Sequence, residues 1–178
     1  MDAPAAFREQ LLGAIPRLRR YARSLVFDAS AADDLVQTAL VRALAHWHQF
    51  DQRRDILVWT ISIAHNAFMD DRRRQARMPL AASTDGHDAS ALERQAAPSP
   101  DIGLRLDLVA ALRRLSAEQR EPLLLVTLEQ LTYAECAEVL QIPIGTVMSR
   151  ISRGRAALRA LLEGRAPQAV APGLRRVV

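Results

Sequence analysis

The sequence predicts an all-α protein built from two small helical domains joined by a flexible linker, the C-terminal domain containing a helix-turn-helix. Three observations support this. Apolar residues recur at helical spacing on both sides of residues 76–100. Ala, Leu and Arg are abundant, while aromatic residues make up only 4% of the chain. With 178 residues, 49% of them hydrophobic, the chain can bury one core or two small ones.

The first predicted domain, residues 5–75, begins with an arginine-rich helix. Pro16 is expected to open this helix as its first residue, because its missing N–H is unneeded there. Leu18, Tyr21 and Leu25 then point inward, while the neighbouring arginines lie on the other sides. Ser30 is the predicted N-cap of the next helix. That helix carries a broad apolar stripe from Leu35 to Trp47 and a polar face on its other side.

A polar loop follows and leads into a third helix. Residues 50–55 (FDQRRD) are mostly charged or polar, and helical periodicity resumes at Ile56 and continues to about Gln75. Trp59 and Phe68 fall at apolar positions of this helix, so we favour core roles for them over stacking on bases.

Residues 76–100 change in character, because they are rich in turn and breaker residues and lack periodicity. They predict the linker. Residues 101–163 form the second predicted domain, and residues 164–178, with two prolines, predict a loose tail. No internal repeat is evident.

The second predicted domain ends in a helix-turn-helix. An amphipathic helix carries Leu104 to Leu115, and Ser116 caps the next one, with Gln119 at the capping-box position. Thr132 and Glu135 form a second capping box ahead of a short helix. Residues 142–145 (IPIG) break that helix, and another begins near Thr146. Two helices joined by such a turn are typical of proteins that read duplex DNA.

Arginine content supports a nucleic-acid partner only where it is clustered. All 24 basic residues are Arg, which a coding bias explains, and the net charge is only +4. The last predicted helix, however, carries Arg150, Arg153, Arg155 and Arg159 between its apolar positions. Guanidinium groups form bidentate contacts with phosphate and guanine.

Several classes of protein are not supported. The single cysteine, Cys136, favours a packed core thiol over a disulfide framework or a metal site. The four histidines share no metal spacing, and no nucleophile constellation or phosphate loop is present, so we expect no catalytic residue, metal or cofactor. The N-terminus lacks signal-peptide features, and no apolar run is long enough to span a bilayer. A cytoplasmic protein without membrane insertion is expected.

Five segments, taken in order, resemble one family. Residues 15–23 (IPRLRRYAR), 32–37 (ADDLVQ) and 59–66 (WTISIAHN) resemble region 2 of bacterial sigma factors, and residues 131–135 (LTYAE) and 144–150 (IGTVMSR) resemble region 4. Together they are similar to the extracytoplasmic-function (ECF) group of the sigma-70-type family. Thr60 stands where a leucine is common, and Met148 stands where a basic residue is common.

The resemblance implies three binding surfaces. The first docks on the clamp helices of the largest subunit of core RNA polymerase and comprises Asp33, Asp34, Val36, Gln37 and Thr38. The second captures a flipped base of the −10 element and holds the melted strand; it comprises Phe50, Arg53, Arg54, Asn66, Arg72, Arg73 and Arg74. The third reads the −35 element of promoter DNA and comprises Thr146, Met148, Ser149, Arg150, Ser152 and Arg153. A small anti-sigma protein is the further partner that the family implies.

Elementary chemistry is consistent with these roles. An unstacked base costs a few kcal/mol unless a pocket receives it, and the amide of Asn66 can both donate to and accept from a base edge. Asp33 and Asp34 have an ordinary interpretation as carboxylates near a helix N-terminus. One alternative function is a stand-alone helix-turn-helix repressor or activator with a helical sensor domain. A nucleic-acid enzyme using Asp33 and Asp34 with a metal ranks third, since no second acidic cluster accompanies them.

Overall fold

The computed structural model describes residues 3–77 and 100–164, without the side chains of residues 100–105. These residues form seven α-helices and no strand, as the all-α prediction requires. The helices are α1 (Ala5–Val26), α2 (Ala29–Ala45), α3 (Ile56–Arg77), α4 (Pro100–Arg114), α5 (Ala117–Thr127), α6 (Tyr133–Leu140) and α7 (Ile144–Leu162). We call α1–α3 the first module and α4–α7 the second module.

Helix α1 begins eleven residues before the predicted start, so the expectation that Pro16 opens it is wrong. Pro16 lies inside the helix, where it leaves the carbonyl of Leu12 without its usual donor. Both residues are exposed, so water can hydrate that carbonyl. The helix is held by its buried side, which includes Phe7, Leu11 and Leu18. Burial of a long apolar stripe outweighs one missing hydrogen bond.

Helix α2 also begins earlier than predicted. Asp28, not Ser30, is the N-cap, and its Oδ1 accepts a hydrogen bond from the N–H of Ala31 at 2.7 Å. Asp28 directly follows Phe27, whose left-handed backbone (φ 56°) ends α1. The chain therefore reverses within two residues, and the first available acceptor caps the new helix.

The predicted linker, residues 76–100, and the predicted tail, residues 164–178, lie almost wholly outside the described residues. At their edges, residues 76 and 77 still belong to α3, residue 100 begins α4, and Gly164 follows α7. Within the described ranges, no helix is both long and apolar enough to cross a membrane.

The helix-turn-helix is confirmed in α6 and α7. The Thr132 hydroxyl accepts from the N–H of Glu135, and the Glu135 carboxylate accepts from the N–H of Thr132 at 2.8 Å, so the predicted capping box forms. Gln141 adopts a left-handed conformation and ends α6. Helix α7 starts directly after Pro143, slightly before the predicted position. Ser116 is the N-cap of α5, as predicted, but its side chain makes no capping bond, so the box with Gln119 is absent.

Helices α5 and α7 approach closely at Gly154. A β-carbon at this position would lie 3.0 Å from the carbonyl oxygen of Gln119 on α5. A larger residue would therefore push α7 away from α5. Val147 and Ile151, on the same helix, fill the core beside this crossing.

The two modules pack against each other, with α3 against α6 and α1 against α5. One continuous cluster of buried residues includes Leu18 and Ile61 from the first module and Leu125, Cys136 and Val139 from the second. Sequence periodicity cannot predict this arrangement, because each helix presents an apolar stripe whatever its partner. We call it the closed arrangement.

Candidate functional site

The first predicted surface lies on α2. Asp34, Gln37 and Thr38 are exposed side by side, because residues three and four apart share one helix face. Asp33 is half-buried, and its carboxylate accepts from Arg19 Nε on α1 at 2.9 Å. Val36 is only 2% exposed and belongs to the core. The structure therefore corrects the prediction for Val36: it supports this face from beneath and offers no surface contact.

A groove of about 770 Å³ begins beside this face and runs between α2, α3 and the start of α5. Asp34 and Thr38 line one side, Arg72 and Arg74 of α3 line another, and Arg120 closes the end. The groove thus connects the α2 face with the basic end of α3. Its polar and apolar lining suits a macromolecular contact better than an enclosed ligand site.

The loop of residues 50–55 is supported by aromatic rings. Phe50 packs at 5.2 Å from Trp59 and 5.7 Å from Phe7, measured between ring centroids. Phe7 is buried in the first turns of α1, and it contacts Trp59 edge-on. Phe50 is consequently half-buried and forms a support for the loop, and its position agrees with the core role favoured for Trp59. No sequence pattern indicated that Phe7 contributes.

Two predicted arginines of the loop have different surroundings. Arg53 is exposed, and its backbone N–H donates to Asp51 Oδ1 at 3.0 Å. Arg54 is also exposed, but its guanidinium is paired with the carboxylate of Glu138 on α6. A residue predicted to contact DNA is therefore engaged by the second module in the closed arrangement.

Asn66 and the arginines that follow it share α3. Asn66 is exposed, and within the described part of the chain no hydrogen bond to its side chain is present. Arg72 lies 5.7 Å from the ring centroid of Phe68, and Arg73 is 3.9 Å from Asp70. Arg74 is exposed. The amide and the basic turns are thus available along one helix beside the loop of residues 50–55.

The start of α7 carries the third predicted surface. Met148, Ser149, Ser152 and Arg153 are exposed, Met148 by 51%, whereas Thr146 is half-buried. Arg153 Nε donates to the carbonyl of Ser149 at 3.3 Å, which holds the side chain along the helix. Met148 can contact a thymine methyl group but cannot pair with guanine or phosphate.

Arg150 differs from Arg153 on the same helix. Its Nη2 lies 3.1 Å from a carboxylate oxygen of Glu118 on α5, and its side chain is only 22% exposed. On a different side of α7, a groove of about 350 Å³ is lined by Tyr133, Met148, Ile151, Ser152, Arg155, Ala156 and Arg159. The surface that α7 offers is thus a mixture of apolar, hydroxyl and guanidinium groups.

Between the modules lie charged residues that sequence reasoning missed. The Glu129 side chain is fully buried and bonded to Arg17 and Arg20 of α1. His65 Nδ1 of α3 lies 3.5 Å from Glu121 Oε2 of α5. Burial lowers the pKa of His65 to about 4, helped by the charge of Arg73, and raises the pKa of Glu121 to about 7. These contacts link residues more than 50 positions apart, and only acids within apolar stretches hinted at them.

Comparison with known proteins identifies the family. The family model "Sigma-70 region 2" matches residues 14–78, and the model "Sigma-70, region 4" matches residues 105–158. The ECF RNA polymerase sigma factor EcfG of Rhodopseudomonas palustris is 36% identical over 91% of this chain and 88% of its own length. The chain belongs to the ECF sigma factors. As a sigma factor it directs core RNA polymerase to promoters, and the match to region 2 disfavours a stand-alone repressor.

Two solved structures are similar to this sigma factor. The sigma factor RpoE of Bartonella quintana, crystallised with the anti-sigma factor NepR, shares 31% identity and superposes with a TM-score of 0.73 over 90% of this chain and 98% of its own. CnrH, solved with the cytosolic domain of CnrY, shares 27% identity, with a TM-score of 0.65 over 89% of this chain and 88% of its own. Coverage of this extent includes both modules.

Proposed function

We propose that three separate surfaces of this sigma factor divide the work of promoter recognition. The α2 face of Asp34, Gln37 and Thr38, with Asp33 at its edge, docks on the clamp helices of the largest polymerase subunit. The observation that carries this is their shared exposure beside the groove that leads to α3. Carboxylates and amides at a surface of this kind suit basic and polar partners, and they set the orientation of docking.

The −10 element is read next to the docking face. Asn66 hydrogen-bonds an unstacked base that the loop of residues 50–55 receives, with Phe50 as the rigid support of that loop. Arg53, Arg72, Arg73 and Arg74 bind phosphates of the melted strand, which positions it without reading its sequence. Arg54 joins them once its pairing with Glu138 is broken.

The −35 element is read by α7 in the major groove. Ser149, Ser152 and Arg153 are exposed near its start, and Arg150 reaches the major groove once its contact with Glu118 is broken. Met148 supplies an apolar contact. The half-buried Thr146 contacts the DNA backbone at the start of α7, where the helix amide groups favour a phosphate.

The chain acts in the cytoplasm and catalyses no reaction itself, since polymerase supplies the chemistry. A small anti-sigma protein is its further partner, and the similar sigma factor RpoE was solved with such a protein. We expect it to occlude the α2 face. Titrating the partner against core polymerase tests this: the two should compete for the chain, and simultaneous binding would contradict occlusion.

Polymerase binding tests the docking face directly. The double substitution Asp34→Ala and Gln37→Ala should lower the affinity for core polymerase roughly tenfold, because two exposed polar contacts are removed together. Glu9→Ala is the control, since Glu9 is an exposed carboxylate on α1 and lies outside the α2 face. Equal affinities of both variants and the wild type would place the docking surface elsewhere.

A further inference from the structure

Promoter geometry requires the two modules to separate. The −10 and −35 elements lie about 25 base pairs apart, which at about 3.4 Å per base pair is roughly 80 Å of duplex. About 140 residues packed as one body have a radius of gyration of only about 14 Å. The closed arrangement therefore cannot place the first module on one element and the second module on the other. Every contact that joins the modules must be broken when the sigma factor engages a promoter.

One charged contact between the modules centres on the fully buried side chain of Glu129, in the segment between α5 and α6. Arg20 donates through Nε to Oε1 and through Nη2 to Oε2, both at 2.9 Å, which is a bidentate pair. Arg17 Nε donates to Oε2 at 3.3 Å, and its Nη2 donates to the Glu129 carbonyl oxygen. Arg20 also donates to the carbonyl of Leu128 at 3.0 Å. We call this group the Glu129 clasp.

The clasp belongs to the interface and not to either module. All the side-chain bonds of Glu129 go to α1, which is part of the first module. Arg17 and Arg20 sit one helical turn apart on α1, and their side chains remain 42% and 49% exposed. Separation of the modules would expose the carboxylate to water and leave both arginines solvated. Opening of this contact therefore leaves no charged group buried without a partner.

A second contact between the modules lies at the C-terminal end of α1. The ring of Phe27 is covered by the guanidinium groups of Arg113 and Arg120, at 5.3 and 4.8 Å from its centroid. Arg113 donates to the Phe27 carbonyl and Arg120 to the Leu25 carbonyl, each at 3.2 Å.

A third contact between the modules pairs Glu138 with Arg54, a residue of the proposed −10 surface. The closed arrangement thus withdraws one DNA-binding group as well as imposing the wrong spacing.

We infer that the Glu129 clasp is an intramolecular latch that holds this sigma factor closed and lowers its activity with polymerase. The inference rests on the proposed binding surfaces for its consequence, but not for the latch itself. Closed molecules must open before they engage a promoter. The apparent affinity for polymerase is therefore the intrinsic affinity multiplied by the fraction of molecules that are open. Polymerase, by binding the open form, shifts that equilibrium.

Small-angle X-ray scattering of the free chain tests the latch without polymerase. Glu129→Ala and, separately, Arg20→Ala should each increase the radius of gyration relative to the wild type. Arg23→Ala is the matched control, because Arg23 is an exposed arginine on the same helix and forms no ion pair in the described ranges. Reversing the pair, with Arg20→Glu and Glu129→Arg together, should restore the compact form at least in part. Circular dichroism confirms that each variant remains helical.

Transcription then tests the inhibitory role. With Glu129→Ala, the concentration of sigma factor that gives half-maximal run-off transcription should fall roughly threefold or more. An unchanged radius of gyration in both single variants would overturn the latch. An increased radius of gyration without any gain in transcription would overturn the inhibitory role of the clasp and leave the docking proposal intact. Failure of the docking proposal would instead appear as unchanged polymerase affinity in the Asp34 and Gln37 variant.

Discussion

Arg150 of α7 and Glu118 of α5 form an ion pair across the second module, with Nη2 and Oε2 separated by 3.1 Å. Arg153, one turn further along α7, bonds only to Ser149 of its own helix. A DNA contact by Arg150 must compete with Glu118, whereas one by Arg153 need not. The two arginines, equivalent by sequence, are therefore not equivalent in the fold.

Arg153→Ala should weaken −35-dependent transcription by roughly 1–3 kcal/mol if it makes a bidentate base contact. Arg150→Ala should weaken transcription less. The wild type must break the Arg150–Glu118 ion pair to make the DNA contact, and the variant loses the contact but no longer has that pair to break. Run-off assays on promoters with altered −35 sequences measure both, with Arg114→Ala as an exposed control on α4. A uniform loss on every sequence would assign the residue to phosphate. No loss with either substitution would mean that α7 is not the reading helix.

Asn66→Ala should impair promoter opening more than polymerase binding, because it removes hydrogen bonds to an unstacked base and nothing from the core. Permanganate reactivity of thymines in the melted strand reports opening, and polymerase affinity is measured in parallel. Gln75→Ala, an exposed amide on the same helix whose Nε2 bonds to Asp71, is the control. Unchanged reactivity at a native promoter would show that Asn66 has no part in capture.

The shifted pKa values of His65 and Glu121 predict opposite effects of pH on the free energy of unfolding. Burial lowers the pKa of His65 from 6.5 to about 4, so the cost of keeping it neutral grows as pH falls through that interval. Burial raises the pKa of Glu121 from 4.5 to about 7, despite the nearby charges of Arg120, Arg72 and Arg150, so the cost of keeping it protonated grows as pH rises through that interval. Between pH 4.5 and 6.5 the two costs change in opposite directions, so their contributions to the pH dependence of wild-type stability largely cancel.

Single substitutions should separate these costs. Relative to the wild type, the free energy of unfolding of His65→Gln should rise as pH falls from 6.5 towards 4, and that of Glu121→Gln should rise as pH increases from 4.5 to 7. Each change should approach about 3 kcal/mol over its interval. Urea denaturation at a series of pH values measures both. Profiles parallel to the wild type would show that folding shifts the pKa of neither group.

Local features of this fold were predictable from sequence, and long-range ones were not. The Thr132–Glu135 capping box needs only residues three apart, so its pattern was readable directly. The start of α1 was misjudged because a general preference of proline for the first turn was outweighed by apolar burial around Phe7 and Leu11. Val36 was assigned to a surface by family resemblance, although its apolar side chain belongs to the core.

The interface between the modules had no sequence pattern that could reveal it. The Glu129 clasp joins residues 109 and 112 positions apart, and helical periodicity carries no information on such partners. The three predicted binding surfaces came from resemblance to the family, while the different surroundings of Arg54, Arg150 and Arg153 depend on tertiary contacts that helical periodicity does not encode.

Promoter binding and run-off transcription, measured with and without core polymerase, test the central claim most directly. The free chain should bind promoter duplex weakly, because its closed arrangement cannot span both elements and each reading surface is small. Adding core polymerase should produce specific transcripts that depend on the −10 and −35 sequences. Equal and tight promoter binding with and without polymerase, and no polymerase-dependent transcript, would contradict the account and favour a stand-alone DNA-binding regulator.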